Sequence, residues 1–195
     1  MNARVKRIAT HGIMTALILV GLLLPGFGIV SLAVLPIIAV CVTSITLGIV
    51  DGLISAFTFA LISFISGFIG ATPFAQVFVN PLISVLPRLL LAPVAYFSYK
   101  LIAQNSENRA RKYTALTVAG ILTCVVNTAG VVGMLLAFHF GTTFGDIVIG
   151  WEWLTVLLLT NFVIEVIICA IVCPPLILAL ASFLKRNTHA QDYKK

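Results

Sequence analysis

One arginine stands apart from every other basic residue in this sequence of 195 residues. Arg88 lies inside a long apolar stretch, whereas the other eleven lysines and arginines occupy three short segments. A charged side chain in apolar surroundings needs a partner or a cavity to face, because an isolated buried charge is costly. Its planar N–H donors match a carboxylate, so Arg88 is expected to capture an anionic ligand or to pair with Glu165.

Further polar side chains interrupt the other apolar stretches. Asn161 and Glu165 are four residues apart and therefore share one helix face. Asn127 lies in the middle of another stretch, where an amide could either bond between helices or line a pocket. Trp151 could form a wall of that pocket or anchor the chain at a membrane interface. The predicted ligand-binding set is Arg88, Asn80, Gln76, Asn127, Asn161, Glu165 and Trp151.

No pattern in the sequence is typical of catalysis. His11 and His139 lie near predicted helix ends without a recognisable nucleophile, and there is no glycine-rich phosphate loop. Cys169 and Cys173 share a helix face but have no second pair or nearby histidine, so we interpret them as packing residues rather than metal ligands. We therefore expect no catalytic residue, metal or cofactor, and any energy from ATP must come from another chain.

Composition determines which elements can position these residues. Apolar residues make up 61% of the chain and charged residues only 9%, against roughly 25% charged in soluble domains. The mean hydropathy is +1.15. Apolar runs of about 20 residues match the helices that cross a bilayer core of about 30 Å. These values exclude a soluble enzyme and a nucleic-acid-binding protein, and they predict an all-α integral membrane protein surrounded by lipid.

Turn-forming residues divide the apolar sequence into six predicted membrane-spanning helices. Asp51 and Gly52 are predicted to form a tight turn, Pro81 suits a first helical turn, and Pro87 and Pro93 should kink the fourth helix. The predicted helices cover about Ile8–Leu24, Val30–Ile49, Leu53–Gly70, Pro81–Ala103, Tyr113–Phe138 and Trp151–Leu184. We predict one membrane domain over residues 1–184 and a short polar cytoplasmic tail over residues 185–195.

The positions of the basic residues predict the orientation of these helices. Eleven of the twelve lysines and arginines lie before helix one, between the last turn of helix four and the start of helix five, or after helix six. An even number of spans places all three segments on one side of the membrane, which the positive-inside rule identifies as the cytoplasm. The N- and C-termini are therefore both predicted to be cytoplasmic, and Arg88 lies in the outer half, about 10 Å deep.

A chain with these features resembles the substrate-binding S components of energy-coupling factor (ECF) transporters. The segment that carries the resemblance runs from Phe78 to Arg88, with the sequence FVNPLISVLPR, and it looks most like the pantothenate branch. The resemblance implies a vitamin-binding subunit in a prokaryotic cell membrane, which works with a membrane coupling subunit and two ATPases. It also assigns contact with the coupling subunit to two small residues of helix one, here Gly12 and Ala16.

The ligand that the resemblance favours is pantothenate, because its carboxylate, hydroxyl groups and amide would suit one arginine and several amides. S components for riboflavin, for folate, for a pyrimidine such as hydroxymethylpyrimidine, or for pyridoxine are the nearest alternatives. A neutral pyrimidine would leave Arg88 explained only by Glu165, and folate would favour a second cation. A channel or an intramembrane enzyme is a further alternative, although the sequence has no paired catalytic residues at matching depth.

The first prediction tests the orientation of the chain. Single cysteines are placed at Asn105 and Gly145 in a background without the four native cysteines. They should react from opposite sides of the membrane, because predicted helix five separates them and the charge bias places Asn105 in the cytoplasm. The measurement is labelling of whole cells with an impermeant thiol reagent. Labelling of both positions from outside would contradict six spans.

Overall fold

The computed structural model describes residues 3–23, 33–69, 77–103, 108–144 and 147–185, and over these ranges the chain is a bundle of helices. A small antiparallel hairpin pairs β1 (Thr143–Phe144) with β2 (Ile147–Val148). The helices are α1 (Ala3–Leu23), α2 (Val34–Thr46), α3 (Ile49–Ile69), α4 (Pro81–Ser84), α5 (Leu86–Ala103), α6 (Arg109–His139), α7 (Trp151–Leu157) and α8 (Val163–Lys185), with a π-helical segment (Leu158–Phe162) joining the last two.

Five helical segments of the described chain are long and apolar enough to cross a membrane: Arg4–Leu22, Ile49–Ile69, Pro81–Ala103, Arg109–His139 and Trp151–Leu184. The remaining apolar helix, α2, has 13 residues, which at 1.5 Å per residue is about 20 Å and shorter than the bilayer core. The prediction of a helical membrane protein is confirmed, and of the six predicted spans five have full length.

The short helix α2 occupies the centre of the bundle. It is apolar on all sides, and ten of its thirteen residues are buried, as expected for a helix without a polar face. It packs against α1, α3, α5, α6 and α8. Because each of these helices touches α2, its buried side chains form the main hydrophobic core, to which Cys41, Cys124, Cys169 and Cys173 also belong.

The turn between α2 and α3 differs from the prediction. It lies at Leu47 and Gly48, where Gly48 has a φ of 104°, a backbone conformation that favours glycine. The helix α3 therefore begins at Ile49, and Asp51 and Gly52 lie within its first turn. Asp51 accepts hydrogen bonds at 2.7 Å from Arg7 Nε and at 2.7 Å from His11 Nε2, both on α1, and these tertiary contacts hold it in the helix.

Gly52 has a packing role in α3. A Cβ atom at this position would lie 2.8 Å from Ser44 Cα, closer than real atoms approach, so the missing side chain lets α2 and α3 touch. Ser44 is itself buried and bonds to the backbone of its own helix at Val40 O. The close approach of these two helices therefore depends on the glycine at position 52.

The beginning of α1 and the end of α8 meet at one end of the bundle. The buried Lys6 donates from Nζ to Leu184 O at 2.7 Å and to Phe183 O at 3.3 Å, so it satisfies carbonyl groups at the end of α8 that have no helical partner. We call this end, which also holds Asp51, the termini end. The chain thus crosses the bundle an even number of times, as the six-helix prediction requires.

The fourth predicted helix is divided at Val85 into α4 and α5. Pro87 has no N–H group, so it cannot donate to Ile83 O four residues earlier. The predicted disturbance at Pro87 is therefore a break between two helices at the preceding turn, while Pro93 lies within α5. Asn80 caps α4 by accepting a hydrogen bond from Leu82 N at 3.0 Å, which is a common role for asparagine before a helix.

A second prediction concerns the contact between α2 and α3. Gly52→Ala should destabilise the protein by about 1–3 kcal/mol, since the added methyl group overlaps Ser44 in a well-packed interface. Gly12→Ala is a matched control, because a Cβ atom at Gly12 of α1 meets nothing within 4 Å. Thermal unfolding in detergent should show a lower Tm for the first variant and an unchanged or higher Tm for the second. Equal Tm values for the two variants would contradict the packing role of Gly52.

Candidate functional site

A cavity of about 380 Å³ lies between the helices, in the half of the bundle away from the termini end. Its volume is within the roughly 300–1,000 Å³ of small-molecule sites. Most of its lining is apolar, and its polar groups come from α3, α5, α6, the π-helical segment and α8. The polar lining residues are Ser63, Ser66, Arg88, Asn127, Thr128, Asn161 and Glu165.

Arg88 reaches this cavity from the beginning of α5 and is only 4% exposed. One terminal nitrogen, Nη1, donates to Ile83 O, the carbonyl that Pro87 leaves without a helical donor. The guanidinium carbon lies 4.8 Å from the ring centre of Phe78 and 5.4 Å from that of Phe59, and both distances are typical of cation–π contact. The backbone and the two rings therefore hold the guanidinium group in one orientation.

Two glycines of α6 set the depth at which its polar residues lie. A Cβ atom at Gly130 would be 2.8 Å from Pro87 Cβ, and one at Gly120 would be 3.1 Å from Cys173 Cβ. Since α5 and α6 run in opposite directions, Asn127 is within about one helical turn of Arg88 in height. The contact between Gly120 and Cys173 likewise relates heights along α6 to heights along α8.

The register of α6 against α8 brings a third polar group to that depth. Cys124 on α6 contacts Cys169 on α8, and Gly120 lies opposite Cys173, so the two helices are antiparallel. Moving from Gly120 to Asn127 therefore corresponds to moving back along α8 to the region of Glu165. Arg88, Asn127 and Glu165 thus form one polar layer of the cavity, carried by three adjacent helices.

The helix that carries Glu165 is irregular just before it. The segment Leu158–Phe162 is π-helical, and π-helical turns inside α-helices are frequent at functional sites. Asn161 lies in this segment and lines the cavity together with Phe162. Its amide is 3.4 Å from Thr160 Oγ1, so it has one weak neighbouring contact and can also face the cavity.

The polar layer contains hydrogen-bonding groups without partners. Within the part of the chain that the structure describes, Arg88 Nε and Asn127 Oδ1 are buried and have no hydrogen-bond partner. The two ion pairs of that part join Asp51 to Arg7 and to His11. Arg88 and Glu165 therefore do not form the ion pair that was one of the two interpretations of Arg88. The residues Arg88 and Asn127, which carry these unpaired atoms, line the same cavity as the Glu165 carboxyl group.

The predicted binding residues separate into two groups. Arg88, Asn127, Asn161 and Glu165 line the cavity, as does Thr128 beside Asn127. Asn80 and Trp151 do not belong to the lining: Asn80 caps α4, and Trp151 is 67% exposed and packs on Phe140 at 5.5 Å between ring centres. Gln76 lies outside the described residues.

Three lining residues on α3 were not predicted. Phe59, Ser63 and Ser66 are spaced by four and three residues, so they form one helix face, and all three line the cavity. The spacing of the two serines in an otherwise apolar helix was the available signal. It is weak, because serine is frequent in membrane helices, where it bonds to its own backbone, as Ser66 does here at Ser63 O.

The two small residues of α1 lie outside the cavity, on the surface of the bundle. Gly12 and Ala16 are both exposed. They share a face with Ile8 and Ile13, which are 71% and 59% exposed. This face of α1 is therefore apolar, contains small residues and is not covered by another helix of the described chain.

The sequence matches the family described as ECF transporter, substrate-specific component, over residues 6–177. The chain belongs to this family. The match extends from α1 into α8 and includes every described cavity residue. No curated protein matches the sequence significantly.

Membership establishes the class of protein. An S component is a substrate-binding membrane subunit of a transporter and not an enzyme, and it associates with a transmembrane coupling subunit and ATPases. The cavity of this S component has the volume and the largely apolar lining, with a few polar groups, of a small-molecule site.

Proposed function

We propose that this S component binds pantothenate in the cavity and delivers it to an ECF module for uptake. The observation that carries this proposal is Arg88, a buried guanidinium group that lines a small-molecule cavity, has no ion-pair partner among the described residues and keeps one N–H donor, Nε, unpaired. An unpaired charge in such a position costs free energy that an anionic ligand would recover. Pantothenate has one carboxylate, and the described lining has one cation to receive it.

The other vitamins of the family fit this lining less well. Folate has two carboxylates, and the described lining offers no second cation. A neutral pyrimidine would leave the Arg88 donor without an acceptor, since Arg88 does not pair with Glu165. Riboflavin is a large planar molecule without a carboxylate. A single anionic ligand with an amide and hydroxyl groups uses more of the free donors and acceptors than these alternatives.

The same proposal includes a direction and a partner surface. The cavity lies away from the termini end, so with cytoplasmic termini it faces the outer half of the membrane, from which a nutrient would arrive. The exposed face of α1 that contains Gly12 and Ala16 would contact the coupling subunit, since small residues allow close helix packing in membranes. The ATPases of the module would supply the energy for transport.

A third prediction tests the role of Arg88. Arg88→Ala should weaken pantothenate binding by about 2–5 kcal/mol, because it removes a desolvated charge-assisted contact; this is roughly thirtyfold to several-thousandfold in Kd. Arg88→Lys should restore only part of the affinity, since an ammonium group lacks the planar fork. The measurement is calorimetric titration with pantothenate and with its alcohol analogue, which lacks the carboxylate.

The control for this titration is Arg111→Ala. Arg111 also donates from Nε to a backbone carbonyl, at Ile102 O, but it is exposed and lies outside the cavity. The wild type and this control should prefer the acid to the alcohol, and Arg88→Ala should have lost most of that preference. Equal affinities for acid and alcohol in the wild type would exclude a carboxylate contact at Arg88, whatever the variants do.

A fourth prediction separates binding from transport. Gly12→Trp or Ala16→Trp should leave pantothenate binding nearly unchanged but block assembly or uptake, since a bulky side chain prevents close approach on this face. Ile171→Trp on α8, at a position 64% exposed, is the control and should do neither. Binding, co-purification with the module and uptake into liposomes are the measurements. Uptake by the isolated S component without ATP would contradict the need for a module.

A further inference from the structure

The three residues of the polar layer, Arg88, Asn127 and Glu165, lie on three helices, of which α6 is the middle one. Both α5 and α8 pack on α6, and the contact between α5 and α8 is marginal among the described residues. Arg88 and Glu165 therefore reach the cavity from the two helices that flank α6, and α6 itself carries Asn127. The layer runs from a cationic donor through an amide acceptor to an anionic acceptor.

The carboxylate of Glu165 needs hydrogen-bond donors, and Arg88 does not supply them. Glu165 is half-buried, lines the cavity and has no ion-pair or hydrogen-bond partner in the described chain. A carboxylate in apolar surroundings needs hydrogen-bond donors, and leaving it without them is costly. The same is true, to a smaller extent, of the buried Asn127 Oδ1.

We infer that Glu165 is a specificity-determining residue that accepts hydrogen bonds from the hydroxyl end of the ligand. The site then selects elongated molecules with an anionic group at one end, hydroxyl groups at the other end and an N–H donor between them. This inference rests on the proposed function, and it gives pantothenate one orientation: the carboxylate at Arg88, the amide N–H at Asn127 and the hydroxyl groups at Glu165. A bound acid without hydroxyl groups would leave Glu165 unsatisfied.

The test compares pantothenate with its dideoxy analogue, in which hydrogen replaces both hydroxyl groups while the carboxylate and the amide are kept. Each hydrogen bond to a charged group corresponds to roughly tenfold to a hundredfold in affinity. The wild type should therefore bind pantothenate at least tenfold more tightly than the analogue in calorimetric titration. Glu165→Gln should reduce this preference to a few-fold.

The affinity of Glu165→Gln for the dideoxy analogue shows whether Glu165 recognises the hydroxyl groups or only stabilises the fold. Glu165→Gln should bind the dideoxy analogue as tightly as the wild type or more tightly, because the variant has no buried charge to leave unpaired. A variant that was merely misfolded would bind both compounds more weakly. Glu152→Gln is the matched control, since Glu152 is exposed and outside the cavity, and it should behave as the wild type.

The outcomes separate this inference from the proposed function. If the wild type binds pantothenate and its dideoxy analogue equally, the hydroxyl contact is overturned while pantothenate binding stands. If both compounds bind and Glu165→Gln keeps the full wild-type preference for pantothenate over the analogue, another residue bonds to the hydroxyl groups. That result overturns the inference. If the wild type does not bind pantothenate, the proposed ligand and this inference both fail. The first comparison needs only the wild type, so it holds even where Glu165→Gln does not fold.

Discussion

A backbone carbonyl without a helical donor organises the polar part of this molecule. Within a membrane, every backbone polar group needs a partner from the protein, because lipid offers none. Pro87 cannot donate to Ile83 O, and Arg88 Nη1 does so instead. This one contact lets the chain break between α4 and α5, and it also fixes the guanidinium group against Phe59 and Phe78. The guanidinium group is thus held in position by the break in the helix that the adjacent proline creates.

The convergence of the polar residues could be predicted because it follows from helix geometry. Each of Arg88, Asn127, Asn161 and Glu165 interrupts an apolar stretch, and polar groups in membrane helices face the interior of the bundle. Their common depth follows from antiparallel connection by short segments. The family could be predicted from the segment that enters α4 and the number of apolar stretches, and the match over residues 6–177 confirms it.

Other features depend on contacts between distant residues and were not accessible to sequence patterns. Asp51 was predicted to lie in a turn because Asp-Gly pairs favour turns, but Arg7 and His11 of α1 hold it in a helix. The π-helical segment has no sequence signature. The alternative pairing of Arg88 with Glu165 was also compatible with the sequence, because only the packing of α5 and α8 on α6 determines whether the two side chains can meet.

The separation of the two charges has a consequence for binding. Had Arg88 and Glu165 formed an ion pair, a ligand would have had to break it, and much of the binding free energy would have been lost to that step. The helices α5 and α8 each pack on α6, and within the described residues Arg88 and Glu165 line the same cavity without forming an ion pair. In the proposed complex, a molecule that satisfies both groups together recovers the free energy that this arrangement costs the empty protein. Under that proposal, the packing that keeps the two charges from pairing is itself a source of selectivity.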